Sequence, residues 1–325
     1  MKKPFTLVIR LSFFFLFWVG VTTCNQNGSG EGQDTNSDVS AEQENLDLAF
    51  PDPYSSIKKL NFLIVGDAGT GEEPQKVVAT GMHRVASKRS SAFVLYLGDN
   101  FYESGVTSVT DTLWKTAFED IYTQSSLQIP FYAILGNHDY LGNEEAQLEY
   151  ALTHPRWKMP ARYYSFSSGL SPGDSIRFFA LDTEMLLNET SDEAKNQLLW
   201  LDSELKKSPA IWKVVFGHHP VRSNGDHGDT GELVALLKPI LERNKVTAYF
   251  CGHDHHLELI KPENGVNYIV SGAGARKRDV TLRKNTKFAF SGFGFVSVDV
   301  SAHQFDVTFH ARFGNQIYKE VIGRR

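Results

Sequence analysis

The sequence predicts an α/β fold, and two observations carry that reading. Short runs rich in β-branched and aromatic residues recur along the chain: NFLIV (61–65), FVLYL (93–97), FYAIL (131–135), KVVF (213–216) and TAYF (247–250). Bounded by glycine and polar residues, such runs read as buried strands. Between them lie segments of helical period. Residues 74–88 bring Val77, Val78, Met82 and Val85 to one face, and Ser191 precedes a run bearing Leu198, Leu201 and Leu205. Thr230 opens a third, with Leu233, Leu236, Leu237 and Leu241, which Pro239 is expected to kink. After Gly274 the pattern becomes alternating, in FGFVSVDV, FDVTFHARF and IYKEVI, which predicts an antiparallel closing section.

Composition fits one large globular domain, since 325 residues that are 41% hydrophobic can bury a sizeable core. A net charge of −5 gives no electrostatic case for nucleic acid or an anionic membrane as partner. At the N-terminus Lys2 and Lys3 precede an apolar stretch from Phe5 to Val21, interrupted by Arg10 and Ser12. That pattern fits an export signal better than a membrane span. Cys24, after Val21, Thr22 and Thr23, resembles a bacterial lipoprotein cleavage site, although Thr23 is unusual there. Residues 1–24 are thus expected to direct export to a bacterial periplasm or envelope with a lipid on Cys24. Plain cleavage, or retention as an anchor, are the alternatives. Residues 25–55 are polar and glycine- and serine-rich for most of their length and are expected to form a tether. The folded domain is expected over 56–325. Cys251, in YFCG, reads as a small buried hydrophobe.

Each apolar run leads directly into a polar motif: GDAG at Asp67, GDNFY from Asp99 to Tyr102, GNHD at Asn137 and His138, GHHP at His218 and His219, and GHDHH from His253 to His256. Loops after the strands of an α/β sheet converge at one edge, so residues distant in sequence can meet around one centre. Asp, Asn, His and Tyr supply oxygen and nitrogen donors without thiolate, a set suited to iron, zinc or manganese.

In this order the motifs resemble the metallophosphoesterase signature, and the tyrosine of GDNFY narrows the likeness to the purple acid phosphatases. LGDNFYESGV, LGNHDY, FGHHPV, YFCGHDHHLE and IVSGAGA are similar to the small, mammalian-type tartrate-resistant acid phosphatases. The resemblance covers the chain from about Leu60 to near its C-terminus, and it implies a four-layer fold, a two-sheet β-sandwich flanked by helices. It implies that Asp67, Tyr102 and His255 bind Fe(III), that Asp99 bridges, and that Asn137, His218 and His253 bind a divalent ion, either iron, zinc or manganese. The implied reaction is hydrolysis of phosphomonoesters in acid, with a metal-bound hydroxide, bridging or terminal, attacking phosphorus in line. Small phosphorylated substrates are then expected, with a monomeric enzyme and no membrane contact beyond the lipid. Two other functions stay open: a metal-dependent phosphodiesterase or nucleotide hydrolase on the same scaffold, and a non-catalytic metal- or phosphate-binding lipoprotein. The last requires a lost ligand, and all seven donor types are present.

Other residues carry paired readings. Tyr102 is either a ligand or a packed phenol with a hydrogen-bonded hydroxyl. By the resemblance Asn137 and His138 bind substrate, and His138 protonates the leaving oxygen; otherwise His138 only orients Asp139. His219 stands where the mammalian-type pattern has tyrosine, and is either a second catalytic proton donor or an exposed spectator. His256 is expected off the metal, or at the surface, because neighbours on an extended chain point to opposite faces, whereas His253 and His255 share one. His227, in SNGDHGD, is placed to rim the pocket. Arg276, Lys277 and Arg278 either attract phosphate or form a solvated face. The segment from Glu184 to Glu193 is shorter than the loop of the mammalian-type enzymes, which implies an open pocket that needs no activating cleavage.

Overall fold

The computed structural model describes residues 59–171, 173–188 and 190–324. The expected export segment with Cys24 and the expected tether lie outside the described residues. In chain order the elements are β1 (Leu60–Val65), α1 (Glu73–Arg89), β2 (Val94–Tyr96), β3 (Phe131–Ala133), α2 (Glu145–Thr153), β4 (Trp157–Lys158), β5 (Tyr164–Ser171) and β6 (Asp174–Ala180). There follow α3 (Thr183–Leu187), α4 (Asp192–Lys207), β7 (Trp212–Phe216), α5 (Gly231–Arg243), β8 (Ala248–Cys251), β9 (Leu257–Ile260), β10 (Asn267–Ser271), β11 (Thr286–Phe290), β12 (Gly294–Val300), β13 (Gln304–Ala311) and β14 (Gln316–Gly323).

The strands make two seven-stranded sheets, ordered β14-β13-β12-β1-β2-β3-β4 and β11-β9-β10-β8-β7-β6-β5. Parallel neighbours need long crossovers, which the helical segments supply. Thus β1 to β4 run parallel in one sheet, as do β6, β7, β8 and β10 in the other. The expected closing section, β12 to β14, is antiparallel and joins the first sheet along β1.

Both faces of the central strands are buried, which is why they read as unbroken apolar runs. In β1, Phe62 and Ile64 enter the core between the sheets, where they share a cluster with Phe178, Val214, Phe216 and Phe250. Leu63 and Val65 point the other way, into a cluster with Val78, Met82 and Val85 of α1. On the outside of the second sheet, Leu201 and Leu205 of α4 and Leu233 and Leu237 of α5 cover Phe179, Val215 and Tyr249. The result is helices, sheet, sheet, helices. Ser191 caps α4, its hydroxyl accepting from the Ala194 N–H, and α5 continues through Pro239. No helix among the described residues is long and apolar enough to cross a membrane.

The strands that lead into the polar motifs all end at one edge of this sandwich, and there the sheets are tied together. The Gly66 N–H donates to the Ser271 carbonyl at 2.8 Å, and the His218 ring reaches the Leu97 carbonyl at 2.9 Å.

Candidate metal centre

Three of the residues singled out by sequence leave their strands through left-handed backbone: Asp67 at φ +56°, Asp99 at +51° and His253 at +67°. This region costs a side-chain-bearing residue about 1–3 kcal/mol and persists only where the surroundings enforce it. The motif glycines are part of that enforcement. A Cβ on Gly136 would lie 2.3 Å from the Asp99 carboxylate, and one on Gly252 would lie 2.4 Å from that of Asp67. Gly252→Ala is therefore expected to push Asp67 out of place and to lower the metal content of the folded protein. Metal analysis that found wild-type stoichiometry in this variant would contradict the close approach.

Two donor sets result. In the first, the Tyr102 hydroxyl stands 3.2 Å from Asp67 Oδ1, 2.8 Å from Asp99 Oδ2 and 3.4 Å from His255 Nε2. His255 Nε2 is itself 3.4 Å from Asp67 Oδ1. In the second, Asn137 Oδ1 lies 3.1 Å from His218 Nε2 and 3.0 Å from His253 Nδ1. His218 Nε2 is 3.2 Å from His253 Nδ1 and 3.5 Å from Asp99 Oδ1. Asp99 thus turns one oxygen to each set.

Apart from the Tyr102 hydroxyl, which donates, these are oxygen and nitrogen atoms with lone pairs turned toward one another. The Leu97 carbonyl can only accept, so His218 Nδ1 carries a proton, and in the neutral ring Nε2 presents a lone pair to Asn137 and Asp99, the arrangement of a metal-binding imidazole. Burial opposes charging this ring, but Asp99 and Asp67 outweigh it and draw the ring toward its charged form, a pull that a bound cation would reverse. In the first set a single phenolic proton cannot serve two carboxylates and an imidazole. Spacings of 2.8–3.5 Å between donors suit an ion held at about 2.0–2.2 Å. Charge gives the same result. Asp67 and Asp99 are 0% and 1% exposed, and their ion-pair neighbours among the described residues are only histidines. Buried carboxylates without a cation are costly. Burial, with the charges of Asp67 and Asp99, drives the Tyr102 phenol far above its ordinary range, and a bound cation reverses that sign. Burial and the neighbouring histidines hold His253 neutral, the state a ligand needs. The residues present fit a pair of metal ions.

The calcineurin-like phosphoesterase family matches residues 60–257. The chain is 36% identical over 301 residues to purple acid phosphatase 7 of Arabidopsis thaliana, covering 86% of this chain and 90% of that one. It is 34% identical over 297 residues to tartrate-resistant acid phosphatase type 5 of Homo sapiens, with coverages of 82% and 91%. The chain belongs to the purple acid phosphatases, within the calcineurin-like phosphoesterases. It is a metal-dependent phosphoester hydrolase. Among solved structures, the Plasmodium protein described as GAP50, the anchor in the inner membrane complex, matches with a TM-score of 0.78 at 26% identity, covering 82% of this chain and 89% of that one. A purple acid phosphatase from yellow lupin (Lupinus luteus) seeds matches with a TM-score of 0.65 at 15% identity, covering 83% and 55%, and shows the shared fold.

Around this purple acid phosphatase centre the remaining polar residues fall into place. His138 Nδ1 bonds the Glu103 carbonyl at 2.6 Å and so bears hydrogen, leaving Nε2, 4.0 Å from Asp99 Oδ2, turned to the site. His138 does not orient Asp139. That carboxylate is buried and instead accepts from the Asn100 and Gly136 N–H groups and from Gln147, tying the second and third motif loops together.

His219 is 4% exposed, so the exposed-spectator reading is corrected. The Thr183 hydroxyl accepts from the N–H groups of His218 and His219, at 3.1 and 3.0 Å, and its one proton is left for His219 Nδ1 at 2.9 Å. His219 Nε2–H then faces Glu184 at 3.4 Å. The segment from Glu184 to Glu193, expected as a short loop that leaves the pocket open, contributes to α3 and α4 and brings Glu184 beside His219.

GHDHH is a turn rather than the extended stretch expected, closed by Asp254 N–H to Gly252 O and His256 N–H to Asp254 O. His253 and His255 accordingly serve different donor sets. His256 is buried, and pairs with Glu258 at 3.1 Å; Glu258 in turn holds the Asn224 backbone at 2.9 Å. His227 does rim the site, its ring 4.1 Å from that of His253, with Arg278 Nη1 at 2.7 Å from its Nε2. Cys251 is buried and free. The basic run GARKRD offers Arg276 and Arg278 as residues that attract phosphate, but nothing in the sequence signals Thr183 or Glu184 at the centre.

Proposed function

We propose that this enzyme is an exported acid phosphatase acting on phosphomonoesters. Fe(III) would be held by Asp67, Tyr102 and His255, a divalent iron, zinc or manganese ion by Asn137, His218 and His253, with Asp99 shared. The position of the Tyr102 hydroxyl, buried among Asp67, Asp99 and His255, carries this reading. A phenolate and two carboxylates put three anionic oxygens at the first site, which favours a hard trivalent cation. The second site, with neutral Asn and His donors beside the shared Asp, suits a divalent one.

When bound, the ion pair supplies Lewis acidity toward phosphoryl oxygen and activates water. The protein supplies the rest. His138 is pinned through Nδ1 and by its own N–H on Asp99 Oδ1 at 3.0 Å, so in the imidazolium form, with a proton on each ring nitrogen, its Nε2–H is held where it can bond a phosphoryl oxygen or pass its proton to the leaving one, the ring then keeping the Nδ1–H. Asn137, beside it, would share contact with substrate. His227 walls the site beside His253, and Arg278, bonded to it, draws in anionic groups. Because Thr183 fixes its tautomer, His219 is assigned a positioning role against the ring of His253, 4.5 Å away.

The charged start and apolar stretch of residues 1–24 support export, and Cys24 supports a lipid anchor in a bacterial envelope. The tether of residues 25–55 would then hold a monomeric catalytic domain, 56–325, clear of the membrane. The discriminating assay compares kcat/KM for p-nitrophenyl phosphate and bis(p-nitrophenyl) phosphate in acid and at neutral pH. The monoester is expected to be favoured by at least about tenfold in acid. A preference for the diester would move the assignment to a phosphodiesterase on the same scaffold.

A further inference from the structure

Arg276 belongs to neither donor set, yet its guanidinium carbon stands 4.4 Å above the centre of the Tyr102 ring. Its backbone is strung between ligand loops: the Ala275 N–H donates to the Asp67 carbonyl at 3.0 Å and the Arg278 N–H to the His255 carbonyl at 2.8 Å. The guanidinium also pairs with the carboxylate of Glu103, the residue after Tyr102. Its Nε is buried with no hydrogen-bond acceptor. A salt bridge alone explains neither the stacking nor that buried N–H, since an exposed ion pair holds its partners only loosely.

We propose that Arg276 tunes the electronics of the Tyr102 phenolate, and that Glu103 sets how strongly it does so. This rests on the reading of Tyr102 as a ligand of Fe(III). A guanidinium over an aromatic face is attracted to its electrons, and far more so when the ring carries the charge of a phenolate. The same attraction lowers the energy of those electrons. A transition that moves an electron from phenolate to iron then needs more energy and falls at shorter wavelength. The nearby positive charge also favours the ferrous over the ferric ion, raising the reduction potential. Glu103 cancels part of this charge; its side chain is 68% exposed against 37% for Arg276, so solvent and salt weaken the cancellation.

The test uses the full chain, purified aerobically, with iron measured on each sample. Arg276→Gln is expected to move the visible band to longer wavelength and the potential lower, Arg276→Lys to recover part of both shifts, and Glu103→Gln to move both the opposite way. Should Arg276→Gln lose its iron, Glu103→Gln, which removes no cation, decides the sign alone. A wild-type band whose position and potential are unchanged in the iron-bearing variants would overturn the proposal and leave a surface ion pair. Iron-loaded wild-type protein with no band would overturn the ferric reading itself, and this inference with it, before any variant is made.

Discussion

Asp99→Asn is expected to strip the centre of at least one metal and to lower kcat/KM for a phosphomonoester by about a thousandfold or more, the scale on which electrostatic groups at a reacting centre count. Asp99 is the one side chain with an oxygen in each donor set, 2.8 Å from the Tyr102 hydroxyl and 3.5 Å from His218 Nε2. Asparagine keeps the shape and one acceptor, which can still receive the His138 N–H now 3.0 Å from Oδ1. It removes the negative charge and turns the other acceptor into a donor, so one of the two ions loses its shared ligand. The fold should survive, because the substitution leaves no cavity. Metal analysis, turnover and thermal unfolding on the same preparation check this together. Two metals per chain with near-normal turnover would show that Asp99 does not bridge.

The parts of the fold legible in sequence were those whose physics is local. Strands β1, β2 and β8 are buried throughout and β3 and β7 over most of their length, and all show as apolar runs, while Gly136 and Gly252 mark places where backbone passes against a carboxylate. Strand β5, YSFSSGLS, was not legible: only alternate residues are buried, and serines hide the pattern. Strand β9 contains the buried Glu258, which makes sense only once His256 and Asn224 are seen to pair with it.

The site shows the same division. Residue types and order pointed to the donors, but His253 and His255 were read as sharing one face of an extended chain, and the turn that separates them depends on long-range contacts. The His253 N–H, for example, donates to Asp67 Oδ2 at 2.9 Å, across 186 positions of sequence. The role of a charged loop is equally non-local. Arg276 and Arg278 look alike in GARKRD, yet one lies on Tyr102 and the other on His227.

Tyr102→Phe carries the second large effect. The ring is buried against His138 and Arg276, so phenylalanine should keep the packing and remove only the oxygen among Asp67, Asp99 and His255. Without it the first site keeps two carboxylates and an imidazole, and can still hold iron, but no phenolate remains to transfer charge to it.

The visible absorption spectrum of the aerobically purified protein, with metal content determined on the same sample, therefore tests the centre most directly. A broad purple band with iron bound, absent from Tyr102→Phe, is the predicted result. A colourless wild-type protein holding two divalent metals would contradict it, and would return Tyr102 to the role of a packing residue.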